Sequence, residues 1–313
     1  MEESNDVGTP WIAIRLMLIV LLLGVTSPAM AQEAVPTPGP LTTFESFETD
    51  VTPGDLPVAL TRVVLDADAA IPFGDHHGPS IVVVVAGALT FDSGDVQVLA
   101  GGTNAASPTP SGSSPAEAGA ILSILADADL SLTAGNGQPA TLIVVEFGEM
   151  MDASGFPNGV EATLLSNETI QIDASRIRLD VQRLALAQWA TTDKWPTEQA
   201  RILIVEAGAL AVDLEGGKAE IGRGYGGQET LVAPPQEESP HPGADPQAGT
   251  ASEIEEGVTP NPTPPVPPLT GTVAGLSMGD VAIITGEGAI ELQGVGEEPG
   301  TMLSISLASV DAG

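Results

Sequence analysis

Leu60–Asp92 reads LTRVVLDADAAIPFGDHHGPSIVVVVAGALTFD, and Val181–Asp213 reads VQRLALAQWATTDKWPTEQARILIVEAGALAVD. The two stretches align without a gap at an offset of 121 residues. Arg62 falls on Arg183, Leu65 on Leu186, and Ala86-Gly87-Ala88-Leu89 on Ala207-Gly208-Ala209-Leu210. Further on, Gly119–Val145 (GAILSILADADLSLTAGNGQPATLIVV) aligns on Gly279–Ile305 (GDVAIITGEGAIELQGVGEEPGTMLSI) at an offset of 160 residues. Gly119, Ile124, Leu132, Pro139 and Thr141 recur there as Gly279, Ile284, Leu292, Pro299 and Thr301. Two ungapped blocks in the same order mark an internal duplication. The offsets differ by 39 residues, the length of an insertion in the second copy.

Each copy reads as strands. Ile81–Val85 is β-branched throughout, and Leu130, Leu132 and Ala134 alternate with polar residues, as do Ile290 and Leu292. Gly135-Asn136-Gly137 and Gly294-Val295-Gly296 supply turns. Neither copy shows a sustained helical period, so the fold class is all-β, a sandwich or barrel of short antiparallel strands. Asp173–Arg178 is either a helical turn or a strand between the copies.

Composition narrows the function. The 313 residues hold 42 Asp and Glu against 9 Lys and Arg, a formal net charge of −33. No basic residue lies between Arg62 and Arg176 or after Arg223, so no basic face is available for nucleic acid. The absence of Cys excludes disulfides, thiolate metal sites and Cys nucleophiles. No Gly-x-Ser-x-Gly, His-Glu-x-x-His, P-loop or dinucleotide motif occurs.

The N-terminus reads as an address. Leu16–Val25 is an uncharged apolar run preceded by Arg15, and Ala29-Met30-Ala31 has the A-x-A cleavage pattern. Residues 1–31 are therefore expected to be a signal peptide, giving a secreted protein with no membrane span after cleavage. Residues 32–52 are expected to be a linker, 53–150 the first barrel, and 151–313 the second. The second carries a flexible Pro- and Glu-rich insertion at about 228–270, with eleven Pro between Pro234 and Pro268.

The block from Ile71 to Leu89 resembles the first motif of the cupins, with Gly87 at its closing Gly, and Gly119–Val145 resembles the second. Gly279-Asp280-Val281 keeps the opening of that second motif. The resemblance implies two tandem cupin-like antiparallel jelly-roll barrels, a bicupin. It also implies a metal held by two His and a Glu of the first motif and a His of the second. Ser80 occupies the Glu position, His76 matches the second His, and Gly74 or Phe73 stands at the first; the last His falls near Asp129 or Leu130. In the second copy Arg201 replaces the Glu, Thr197 and Glu198 stand opposite His76 and His77, and Ile290 stands near the last His. Neither copy keeps four ligands.

The candidate metal residues are His76, His77, Asp75 and Asp129, which would place a divalent metal, if any, in the first barrel. Asp66-Ala67-Asp68 and Asp127-Ala128-Asp129 each space two carboxylates two apart, which on a strand would share one face. Trp189 and Trp195 are candidate ligand-stacking residues, or core. Arg62 and Arg183 are expected to pair with local acids. The expected function is an exported, non-catalytic binding or structural module whose partner is a small molecule or a surface protein. The alternatives are a metal-dependent oxygenase or isomerase built around His76, and an adaptor that docks through the proline-rich insertion.

Overall fold

The computed structural model describes residues 42–73, 78–91, 96–100, 115–148, 156–197, 199–233 and 272–310. The expected signal peptide, most of the insertion, and His76, His77 and Asp75 lie outside the described residues.

Among the described residues all 21 elements are strands. The first half contains β1 (Thr42–Asp50), β2 (Gly54–Leu65), β3 (Ala70–Phe73), β4 (Ser80–Ala86), β5 (Ala88–Phe91), β6 (Val96–Ala100), β7 (Ala116–Glu117), β8 (Ile121–Ile124), β9 (Leu130–Ala134) and β10 (Ala140–Phe147). The second contains β11 (Val160–Ile172), β12 (Arg176–Leu186), β13 (Trp195–Pro196), β14 (Arg201–Ala207), β15 (Ala209–Glu215), β16 (Lys218–Gly222), β17 (Gln228–Val232), β18 (Thr272–Ser277), β19 (Val281–Thr285), β20 (Ala289–Gly294) and β21 (Gly300–Ser309). All named pairings are antiparallel.

The duplication is visible strand by strand. One large sheet runs β11-β2-β10-β4-β8-β6 and the other β1-β12-β21-β14-β19-β16-β17. The small sheets run β3-β9-β5-β7 and β13-β20-β15-β18. Registers repeat too: Ala140 faces Leu65 as Gly300 faces Leu186, and both pairings on the next strand shift at equivalent residues. The chain thus forms two tandem cupin-like jelly rolls, each pairing one large sheet with one small one.

One correction concerns the start of the chain. Residues 42–50, expected to be linker, form β1, and β1 does not join its own unit. It pairs with β12, Thr42 facing Arg183, while β11 pairs with β2, Thr163 facing Arg62. Those registers are equivalent at the offset of 121, so the two units exchange their first strands reciprocally. The segment after Asp173 also resolves: a bend at residues 174–175 links β11 to β12. The insertion begins with structure as well. Gln228–Val232, expected to be flexible, adds β17 to the edge of its sheet, giving seven strands against six.

Burial explains why the central strands are apolar without alternation. Ile81 and Val83 of β4 enter a core between the two large sheets, with Ile202 and Ile204 of β14. Val82 and Val84 face the inside of the first unit, and Leu203 and Val205 the inside of the second. A strand covered on both faces has no polar face to show. Each fully buried aliphatic side chain contributes about 1.5–3 kcal/mol, so three stacked apolar layers hold the chain together without disulfides.

Candidate functional site

The period of two fixes which polar residues look inward. On β10, Leu142 and Val144 line the inside of the first unit, so Glu146 points the same way. On β4, Ser80 shares the face of Val82 and Val84. Registers bring these together in one cross-strand row: Ala59, Glu146, Ser80, Ile124. Glu146 is 2% exposed. The Ser80 hydroxyl donates to the Gly78 carbonyl at 3.3 Å.

The same row in the second unit is Asp180, Ser306, Arg201, Ile284. Arg201 shares the face of Leu203 and Val205 and is half-buried. Its Nη1 donates to Ser304 Oγ at 2.9 Å, and its guanidinium carbon lies 4.6 Å from the centre of the Trp195 ring. Its Nε is buried and has no hydrogen-bond partner. Burial draws the Arg201 pKa below its ordinary value, and the charge of Asp180 partly opposes that. Thr197, two residues beyond Trp195, also has a buried hydroxyl without a partner.

Of the expected site residues, the described ones are Asp129, Trp189 and Trp195. Asp129 is exposed and faces away from the inner row, on an open groove of about 610 Å³ shared with Pro72, Thr90, Ser131 and Thr133. Both Asp-Ala-Asp stretches lie in turns between strands rather than on strand faces, with Asp68 and Asp127 at φ of 62° and 57°. Among the described residues, no three His, Asp or Glu come together as a metal-holding group. In the second unit the donor set does not fit a divalent metal, because a guanidinium stands where the motif has its carboxylate.

The two tryptophans serve different ends of β20. Trp189 sits in a left-handed turn (φ 64°), 38% exposed, its N–H donating to the Gly294 carbonyl. Trp195 pairs with Ile290 and packs on the second core. Those anchor points are four residues apart, about 13 Å along a strand. Trp195 takes the position of Phe73, which faces Leu130 in the first unit.

The two arginines of the repeat act as cross-unit ties. Arg183 forms a two-point ion pair with Glu206, both contacts 2.6 Å, and donates to the Gly119 carbonyl of the first unit at 2.8 Å. Arg62 reaches the Gly224 carbonyl of the second unit at 2.7 Å. The residue equivalent to Glu206 is Val85, so Arg62 lacks that local acid.

Sequence reasoning missed Glu146. It follows Thr-Leu-Ile-Val-Val in a strand apolar on both faces, where alternation gives no signal, and only the pairing with Ser80 reveals its direction.

Comparison with known proteins returns folds. No protein-family model matches the chain, and no curated relative does. Among solved structures, an oxalate decarboxylase from Lactobacillus farciminis in a formate complex is similar at 10% identity, covering 87% of this chain and 88% of that one, with a TM-score of 0.45. Protein Ylba from E. coli is similar at 9% identity over 87% of this chain and 92% of that one, with a TM-score of 0.41. An oxalate decarboxylase from Bacillus subtilis with Mn(II) centres is similar at 9% identity over 99% and 88%, with a TM-score of 0.43. What establishes the architecture here is the repeated sheet order and register. The fold is two tandem antiparallel jelly rolls. Its two inner rows hold different chemistry, and that difference bears on function.

Proposed function

We propose that this bicupin-like chain is an exported, acidic module that binds a small molecule and does not catalyse its conversion. The observation that carries the reading is the filling of both units. Their insides are packed with aliphatic side chains, and inward polar groups gather toward one end, Glu146 and Ser80 in the first unit and Arg201, Ser304 and Ser306 in the second. A polar row at the end of a packed core offers a few oriented contacts, the pattern of a binding site. Export is supported by the signal-like residues 1–31 and by an acidic composition that suits an exposed, soluble surface.

Metal analysis of protein grown with iron, manganese and zinc tests the non-catalytic part. Sub-stoichiometric metal, equal in wild type and in the His76→Ala/His77→Ala variant, is the expected result. Stoichiometric metal lost in that variant would overturn it. Mass spectrometry of protein from the culture medium should find a chain beginning at Gln32; a membrane-retained chain keeping residues 1–31 would contradict export.

One observation favours a metal-dependent reading of the first unit. Glu146 stands directly opposite Ser80, so a buried carboxylate reaches the inner face one strand away from the motif's Glu position. Glu146→Gln should leave metal content unchanged if the unit is a binding module. A loss of metal would give the first unit to the oxygenase or isomerase alternative. The third reading, an adaptor docking through its proline-rich insertion, is tested by deleting residues 236–268.

A further inference from the structure

We propose that the inner row of the second unit is a subsite for a small monocarboxylate, held by Arg201 with Trp195 as its wall. This rests on the binding-module reading above and names the class of ligand.

Acids outnumber bases 42 to 9, so cations here should find carboxylates easily. Arg176, Arg178, Arg183, Lys194, Lys218 and Arg223 each make an ion pair. Among the described residues Arg62 and Arg201 make none, and of these two it is Arg201 that shares the face of an inner core. The carboxylate acting on it, Asp180, lies two strands away on the same row. Asp180 is already engaged by the Ser46 hydroxyl and by Arg178 at 3.2 Å. An arginine stays ionised when buried, so the row keeps a positive charge with no adjacent counter-ion among the described residues.

The orientation of the guanidinium defines what would neutralise it. Nη1 is committed to Ser304, and Trp195 covers a face. The Nε–Nη2 edge remains, and its Nε lacks a partner. Two parallel N–H groups on one edge match the two oxygens of a carboxylate. Ser306, directly across from Arg201, adds neutral hydrogen-bonding capacity. One cation in a chain of net charge −33 favours a single negative charge over a phosphate or a polyanion. The Trp195 ring and the aliphatic core beneath favour a short apolar or aromatic tail.

The test uses the exported chain with Trp189→Phe, so that Trp195 reports by fluorescence. The probes are benzoate, acetate, sulfate, and neutral benzamide and glucose, at constant ionic strength. Benzoate should change the emission saturably, and benzamide should not. Arg201→Met should abolish the response. Arg201→Lys, which keeps the charge and loses the fork, should weaken it by about tenfold to a hundredfold, the loss of one charge-assisted contact. Circular dichroism checks folding; if Arg201→Met fails to fold, Arg201→Lys and Trp195→Phe, the latter read by calorimetry, decide. Carboxylate binding unchanged in Arg201→Lys would overturn the proposal, leaving Arg201 as a cap on the core. Saturable binding of a neutral probe without benzoate binding would also overturn it while sparing the binding-module reading. A response to none of the probes would remove both.

Discussion

In the first unit the inner row holds Ala59, Glu146 and Ser80; in the second the same backbone positions hold Asp180, Ser306 and Arg201. The strand order, the registers and the shifts in register are shared. A buried carboxylate in one copy is thus answered by a half-buried guanidinium, one strand over, in the other. The frame depends on apolar pairs repeated at every level, so a single inward polar position can change sign without disturbing register.

The shared frame has a point where it can be broken unequally. Because the first strands are exchanged, deleting residues 1–51 should damage the second unit more than the first. β12 would lose its edge partner and the cover that Phe44 and Phe47 give the inter-sheet core, whereas β2 keeps β11. Hydrogen exchange should show protection lost in residues 176–186, by about tenfold or more, with residues 54–65 little changed. Equal loss in both would mean that the exchange does not carry the stability of either unit.

A smaller effect should come from the glycine that ends β4 and its counterpart after β14. Gly87 has φ +79°, and a Cβ there would sit 2.3 Å from the Pro139 carbonyl oxygen; Gly208 has φ +68° and 2.7 Å to that of Pro299. Left-handed strain and a backbone clash add, so Gly87→Ala and Gly208→Ala should each lose about 2–4 kcal/mol in denaturant melts. The closer approach makes Gly87 the worse position. Tolerance of either substitution would show that the two turns are not equivalent.

The repeat, the all-β class and the paired jelly rolls were legible because glycine turns and apolar runs recur at constant offsets. The strand exchange was not, for a local reason. Phe44 and Phe47 both pack on the inter-sheet core but are three residues apart, because the register shifts between Thr43 and Ser46. That shift hides the period of two, and the equivalent shift between Leu164 and Ser166 does the same to β11. Sequence placed Arg201 at the motif's carboxylate position, but its lack of an ion-pair partner among the described residues is a property of the folded row. Asp129, at a motif position that pointed to a metal, lies in the exposed turn before β9 on an open groove, a placement that motif spacing does not reveal.

The arginine ties sharpen the comparison by a further step down in energy. Glu206→Gln would leave Arg183 with the Gly119 carbonyl and no two-point ion pair, at a cost of about 1–2 kcal/mol, since both side chains are largely buried. The matching change in the first unit, Val85→Ala, removes no charge and should leave the salt dependence of stability unaltered. Melts at low and high salt separate the two: the wild-type advantage over Glu206→Gln should shrink with salt, and the advantage over Val85→Ala should not.

The smallest effect distinguishes the exchanged strands themselves. At equivalent positions β1 carries Phe47 and β11 carries Glu168. Phe47 packs on the inter-sheet core, whereas Glu168 accepts from Lys218 of β16 at 2.6 Å. Burial pushes the Glu168 carboxyl up, but the hydrogen bonds from Lys218 and the Thr169 N–H outweigh it and hold its pKa below the ordinary value. The hydrogen bonds with Glu168 and Glu220 hold Lys218 above its ordinary value. A carboxyl depressed on folding stabilises above its unfolded pKa, about 4.3, and that contribution is lost as pH falls through the lower folded value. A raised lysine stabilises below about 10.4, and its share is lost as pH rises through the higher folded value. The tie therefore holds β11 across the neutral range and weakens first in acid. Lys218 is 39% exposed, so screening keeps its worth below about 1 kcal/mol. Lys218→Met should raise hydrogen exchange in residues 160–172 slightly at pH 7 and low salt, leave residues 42–50 unchanged, and have no effect once Glu168 is protonated. An equal response in both strands would show that the ion pair and the phenylalanine are not alternative anchors for the same exchanged strand.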